Sequence, residues 1–159
     1  MHPVKGVQIS SREQPAIWFL GGLALVKAAG ENTNGAFGLL EQVIPAGFAS
    51  PYHMHHLEDE AFYILEGQVA FVADGKWSKA GPGGYVYLPR EIPHGFRIEG
   101  ATPARILLLC VPSGFERFVI EMSVPATDPA SPPAGTPDVA RLTAVAAKYQ
   151  IDILGNLPE

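Results

Sequence analysis

His53 and His55 stand two residues apart, and Glu60 follows five residues after the second histidine. On a β-strand, side chains alternate between the two faces, so His53 and His55 point together while Met54 points away. Glu60 joins them if the chain turns once and re-enters the sheet as a neighbouring strand. His94, in Leu88-Pro-Arg-Glu-Ile-Pro-His94-Gly-Phe, is a fourth candidate. Neutral imidazole together with carboxylate suits borderline first-row divalent metals. Three histidines and one glutamate converging from different strands leave coordination positions open, as metal chemistry on a substrate requires. Nearby residues of the same types have plainer readings. His56 alternates to the face opposite His55, and His2 is unrelated. Glu58 and Asp59 read as turn residues carrying solvated charge, though either can orient a ligand histidine from behind.

Such a cluster needs strands to hold it, and the chain supplies them. From Trp18 to Val111 it reads as short apolar or alternating runs separated by turn residues, an all-β pattern. The expected strands are Trp18–Lys27, Ala36–Ile44, Tyr52–His55, Glu60–Glu66, Gln68–Ala73, Tyr85–Leu88, Gly95–Glu99 and Arg105–Val111, with another possible around Trp77. Glu66-Gly67 and Asp74-Gly75 are tight-turn signals, because glycine tolerates the positive φ that such turns need. Phe62 and Phe96 lie an even number of residues from Glu60 and His94, so they share the inward face and line a pocket. Tyr63 and Tyr85 face outward.

The last third changes character. Phe115, Phe118, Val119 and Met122 recur at helical intervals. Residues 125–137 hold five prolines and form an extended connector. Thr136 then caps a second helix with Pro137 at its first position, and Val139, Leu142, Val145 and Tyr149 give that helix an apolar stripe. The tail Ile151–Gly155 is apolar enough to add an edge strand.

Composition narrows the function. The chain has 159 residues, one domain's worth, and is 47% hydrophobic. A net charge of −5 with scattered lysines and arginines offers no basic stripe for nucleic acid. The single cysteine, Cys110, lies in an apolar run and reads as a core residue, so no disulfide framework exists within the chain. The apolar run Ile17–Val26 is too short to span a bilayer as a helix. Glu13 and the central Gly21-Gly22 argue against a secretory leader built on Lys5 and Arg12. A buried strand and a cytoplasmic location are expected.

The stretch Gly47 to Gly67 resembles the first motif of the cupin superfamily, G-x5-H-x-H-x4-E-x6-G, with every fixed position filled. Gly83, Pro89 and His94 resemble its second motif. Glu91, Gly84 and Ile98 stand where the family has glycine, aspartate and asparagine; none of these is a ligand position. The resemblance implies a jelly-roll β-barrel over residues 1–124, followed by the connector 125–137 and a C-terminal helix and tail, 138–159. It implies one divalent transition metal per chain (iron, manganese, nickel, copper, cobalt or zinc) on His53, His55, Glu60 and His94. The Gly-Phe-Glu-Arg-Phe helix and proline-rich connector are similar to those of mono-cupin quercetin 2,3-dioxygenases. That likeness implies a dioxygenase acting on a small aromatic or enolic compound, with Glu60 as catalytic base. A substrate pocket of Phe62, Phe96 and Ile98 then lies above the metal, and Ile98 at a usually polar position makes that pocket apolar. A non-oxidative isomerase or lyase and a non-catalytic binding protein are the alternatives. Family analogy adds a homodimer, with Trp18–Val26 as its interface strand, and a small molecule as the partner, with no nucleic acid or membrane.

Overall fold

A computed structural model describes residues 15–159; His2, Lys5, Arg12 and Glu13 lie outside the described residues. Twelve strands and three helices are defined among them: β1 (Ile17–Phe19), β2 (Gly22–Ala28), α1 (Gly30–Thr33), β3 (Gly38–Ile44), β4 (Tyr52–His55), β5 (Asp59–Glu66), β6 (Gln68–Ala73), β7 (Lys76–Ala80), β8 (Tyr85–Leu88), β9 (His94–Glu99), β10 (Ala104–Val111), α2 (Phe115–Met122), β11 (Val124–Pro125), α3 (Val139–Lys148) and β12 (Ile151–Gly155). They form two antiparallel sheets, β11-β1-β2-β3-β10-β5-β8 and β12-β4-β9-β6-β7. This is the all-β fold that the strand pattern predicts and the jelly roll that the resemblance implies, built as two layers rather than one continuously bonded barrel.

Alternation puts Leu40, Ile44, Phe62, Ile64, Ile106 and Leu108 inside, all 4% exposed or less, while Tyr63 and Tyr85 face out. At about 1.5–3 kcal/mol for each large apolar side chain buried, this layer is the main stabilising element of the fold. The β6–β7 turn uses Asp74 and Gly75, both at positive φ, which matches the twist of a hairpin. Gly67 has φ +84, and a Cβ there would lie 2.7 Å from the backbone of Pro103 and Ala104. Only glycine fits that corner.

Three expectations need correction. The run Trp18–Lys27 is not one strand: Leu20 and Gly21, both at positive φ, fold it into the β1–β2 hairpin. Both edges of β1 are then paired within the chain, to β2 and β11. The second long helix is capped by Asp138, whose carboxylate accepts from the Arg141 amide at 3.0 Å, rather than by Thr136. Pro137 therefore precedes the cap. Val139 is 65% exposed, so the buried stripe of α3 is Leu142, Val145 and Ala146.

The helices close one end of the sandwich. Phe115 and Phe118 of α2 pack edge-on to Phe19, and Phe118 also meets Tyr149. Glu121 ties α2 to α3 by accepting from Lys148 and from the Tyr149 hydroxyl. No helix among the described residues is long and apolar enough to cross a membrane.

Candidate metal centre

The four predicted ligands converge. One ligand atom from each of His53, His55, Glu60 and His94 lies within 4.8 Å of the others. The three histidines come from neighbouring strands of the smaller sheet, where His53 of β4 stands directly opposite His94 of β9. Glu60 does not come from a neighbour of β4, as one turn would give. It lies on β5 in the other sheet and reaches across the sandwich. Two rigid layers, rather than one ribbon, therefore set the spacing of the cluster.

Each imidazole is held by its outer nitrogen. His53 Nδ1 donates to the Pro51 carbonyl at 2.8 Å, and His94 Nδ1 donates to the Ile92 carbonyl at 2.8 Å. A carbonyl only accepts, so these bonds fix the tautomer and leave both Nε2 atoms as lone-pair donors. His55 Nδ1 lies 3.2 Å from Glu58, which is 2% exposed. Glu58 is thus no solvated turn residue, and of its two readings the orienting one holds. Asp59 faces out and pairs with Arg90 at 3.0 Å. His56, half-exposed, bridges Glu91 and Asp152 at 3.0 and 2.8 Å.

These bonds test whether a cation fits. His94 Nε2 and Glu60 Oε2 stand 2.7 Å apart, yet both are acceptors once His94 Nδ1 carries its proton. Two lone pairs at that distance require a positive charge between them, a shared proton or a metal ion. His55 Nε2 is buried with no hydrogen-bond partner among the described residues, 3.5 Å from the same carboxylate oxygen. A buried polar atom aimed at three other ligand atoms is what a divalent ion satisfies. The residues fit the group.

Electrostatics agree. Burial pushes His53 down to about 3, reinforced by His94, so it is neutral at physiological pH, as a ligand must be. Burial would raise the Glu60 carboxyl, but His55, His94 and His53 outweigh it and hold it at about 2. Burial would lower His55, but Glu60 and Glu58 together raise it above the ordinary value.

The backbone before His94 accounts for Glu91 in place of glycine. Glu91 keeps the left-handed conformation, φ 64, at a cost of about 1–2 kcal/mol. Its amide donates to the His55 carbonyl at 2.8 Å, and its carboxylate accepts from His56. The strained residue thus braces the strand that carries two ligands.

Beside the cluster lies a chamber of about 60 Å³ whose walls include His53, Glu60, Phe48, Phe62, Phe96 and Phe115. Phe62 and Phe96 stack edge-on at 5.7 Å. Ile98 is buried, 4% exposed, but lies one inward position beyond the chamber, packed in the closed core. Gln42 of β3, which no sequence motif marked, is a chamber wall residue. Its position between Leu40 and Ile44 on an alternating strand was the available signal, a polar residue at an apolar register. Cys110 is buried, and burial pushes its thiol well up, consistent with a core role.

The family model for the Cupin domain matches residues 40–111. Over 93 residues the chain is 32% identical to quercetin 2,3-dioxygenase of Bacillus subtilis, covering 58% of this chain but only 27% of that protein. Among solved structures, an RmlC-like cupin from Shewanella frigidimarina superposes with a TM-score of 0.60 at 17% identity, covering 72% of this chain and 99% of that one. The polyketide cyclase RemF of Streptomyces resistomycificus superposes with a TM-score of 0.51 at 27% identity, covering 65% and 71%. The matched segment carries all four converging ligands, and residues 40–111 of this chain are a cupin domain.

Proposed function

We propose that this protein is a metal-dependent dioxygenase acting on a small aromatic or enolic compound. The observation behind this reading is that the histidine and carboxylate cluster opens on an apolar chamber walled by phenylalanines, which suits a flat, weakly polar substrate. The likeness to a quercetin dioxygenase supports the same class.

His53, His55, Glu60 and His94 would hold one divalent transition metal, of any of the six kinds that such ligands accept. A metal there supplies a Lewis-acid centre that acidifies an enol or phenol and, if redox-active, links it to dioxygen chemistry. Glu60 then acts as general base, taking the substrate's hydroxyl proton on its carboxylate. Phe62 and Phe96 orient the ring and exclude water. His53 and His94, pinned by carbonyls, keep the site from relaxing as the proton moves.

The chamber is small, with room for a few waters, and takes only the enol or phenol hydroxyl end of a substrate. Leu20, Phe48, Ser50, Pro51, Leu142 and Ile153 are shared with an outer groove of about 560 Å³, which accommodates the rest of a larger substrate.

Oxygen uptake by the metal-loaded protein over a panel of flavonols and β-diketones tests the reading. Uptake that depends on substrate and is lost in Glu60→Gln supports it; no uptake across the panel overturns it. A second reading has its own support, since RemF is a polyketide cyclase: non-oxidative turnover of an enolic substrate. Substrate loss without oxygen consumption would favour that reading, and binding without turnover would favour a sensing role. The proposal includes a cytoplasmic homodimer, in keeping with a lone buried cysteine; light scattering of the purified protein checks the dimer.

A further inference from the structure

Val139 is 65% exposed, although it belongs to the first turn of a helix whose other large apolar residues, Leu142 and Val145, are buried. It lines the outer groove of about 560 Å³, together with Ala49, Pro137 and Leu157. Leu142 stands three residues on, so it shares the face of Val139 about 4.5 Å further along the helix axis. Leu142 walls both the groove and the chamber beside the metal ligands, and so does Ile153, whose strand partner is His53. An apolar track therefore runs from beside the ligands to the open rim at Val139.

Size separates the two spaces. A site for a whole small molecule holds about 300–1,000 Å³, which the groove meets and the chamber does not. Among the described residues no charged side chain lines the groove. Its polar side chains are Thr136 and Asn156, both exposed, and Ser50, whose hydroxyl donates to the Pro51 carbonyl and accepts from the Phe96 amide. A charge on the part of a ligand held there would lose water without gaining a partner. Most of the walls lie outside residues 40–111: Leu20 comes from the β1–β2 turn, Val139 and Leu142 from α3, and Ile153 and Leu157 from the last strand and its tail. Leu157 is fixed against β9, where its Cδ2 occupies the space that a Cβ on Gly95 would need.

We infer that Val139 is a specificity-determining residue: the chamber admits the acidic hydroxyl end of the substrate, and the uncharged, apolar body lies in the groove across Leu142 and Val139. Selection is thus made by segments that this chain adds around its cupin domain. The inference rests on the enolic reading for the hydroxyl end, but the apolar groove stands independently of it.

Two measurements decide it. The first needs no enol: N-phenyl-1-naphthylamine, an uncharged apolar probe, is titrated into the protein and its fluorescence followed. It binds the wild type saturably and binds Val139→Asp at least tenfold more weakly, while Val139→Leu retains it. An acidic residue in the first turn of α3 suits the helix dipole, so the thermal midpoint of Val139→Asp stays unchanged or rises. Should that variant unfold, Ala49→Asp, at another exposed wall position, carries the same expectation. No saturable binding to the wild type, or binding to the aspartate variant as tight as to the wild type, overturns the inference. The second compares 3-hydroxyflavone with acetylacetone, an enol too short to reach Val139, in metal-loaded protein. Val139→Asp weakens the flavonol at least tenfold and acetylacetone less than twofold. Equal effects on the two, a loss or none, overturn the inference. If neither enol binds the wild type, the enolic reading falls, and the probe titration alone decides Val139.

Discussion

Glu58 Oε2 lies 3.2 Å from His55 Nδ1, and both side chains are at most 2% exposed. This carboxylate orients the imidazole and, with Glu60, keeps its pKa above the ordinary 6.5. A metal must displace the proton that His55 holds, so metal affinity rises with pH up to the folded pKa and then levels. Glu58→Gln removes one negative charge, which moves that rise to lower pH. It also loosens the ring, and plateau affinity falls about 10–100-fold. Chelator competition between about pH 5.5 and 8.5 checks both effects.

Metal content gives a more direct test. Elemental analysis of the purified protein should find about one divalent transition metal per chain, and His55→Ala or His94→Ala should lower it. Full occupancy in a protein lacking His53, His55 and His94 together would refute the site.

Acid should destabilise the metal-free protein through His53. Its folded pKa of about 3 lies below the ordinary 6.5, so in that window the unfolded chain takes up a proton that the folded one refuses. Stability is thus present above 6.5 and falls with pH below it, by up to about 1.4 kcal/mol per unit. Glu60, lowered from 4.5 to about 2, adds a loss that begins below pH 4.5. His55 acts oppositely: its raised pKa contributes stability present below 6.5 and lost as pH rises through its folded value. Denaturant unfolding of chelator-treated protein from pH 7 to 4 should show the decline, and His53→Phe should flatten it. An unchanged slope in that variant would exclude His53 as the cause.

A third buried carboxylate holds the chain around α2. Glu116, 1% exposed, accepts from the Gly30 amide at 2.9 Å and from the Gly114 amide at 2.7 Å. Its carboxylate occupies the space a Cβ would need at Gly38. Glu116→Ala leaves two amides without partners and should cost about 2–4 kcal/mol, with Glu116→Gln costing less. The change in denaturant midpoint measures it.

Tyr52–His55, Gln68–Ala73 and Tyr85–Leu88 were legible residue for residue, because short alternating runs between glycines and prolines leave little choice. The four ligands were legible because their spacing is itself a motif. The partition of strands between sheets was not, since periodicity gives a strand's faces but not its neighbour; hence Glu60's arrival from the opposite layer. Leu20 concealed the β1–β2 turn, because a leucine at positive φ carries no turn signal. Glu58 and Asp59 are adjacent acids with opposite fates, one buried on His55 and one paired with Arg90 at the surface. Only tertiary packing separates them. Gln42 and Ile98 show the same limit, for an inward register does not say which inward positions meet open space.

β12 pairs with β4, placing Ile151 beside His55 and Ile153 beside His53, and the Asp152 carboxylate reaches His56 across 96 residues of sequence. The strand bearing two of the ligands would otherwise be the rim of its sheet. During synthesis His53 and His55 therefore leave the ribosome long before the segment that covers them. At about 5–20 residues per second, that interval lasts roughly 5–20 s. For that time β4 lacks the neighbour that covers its outer edge in the finished sheet, so the strand bearing His53 and His55 gains that cover only when the last segment of the described fold pairs with it.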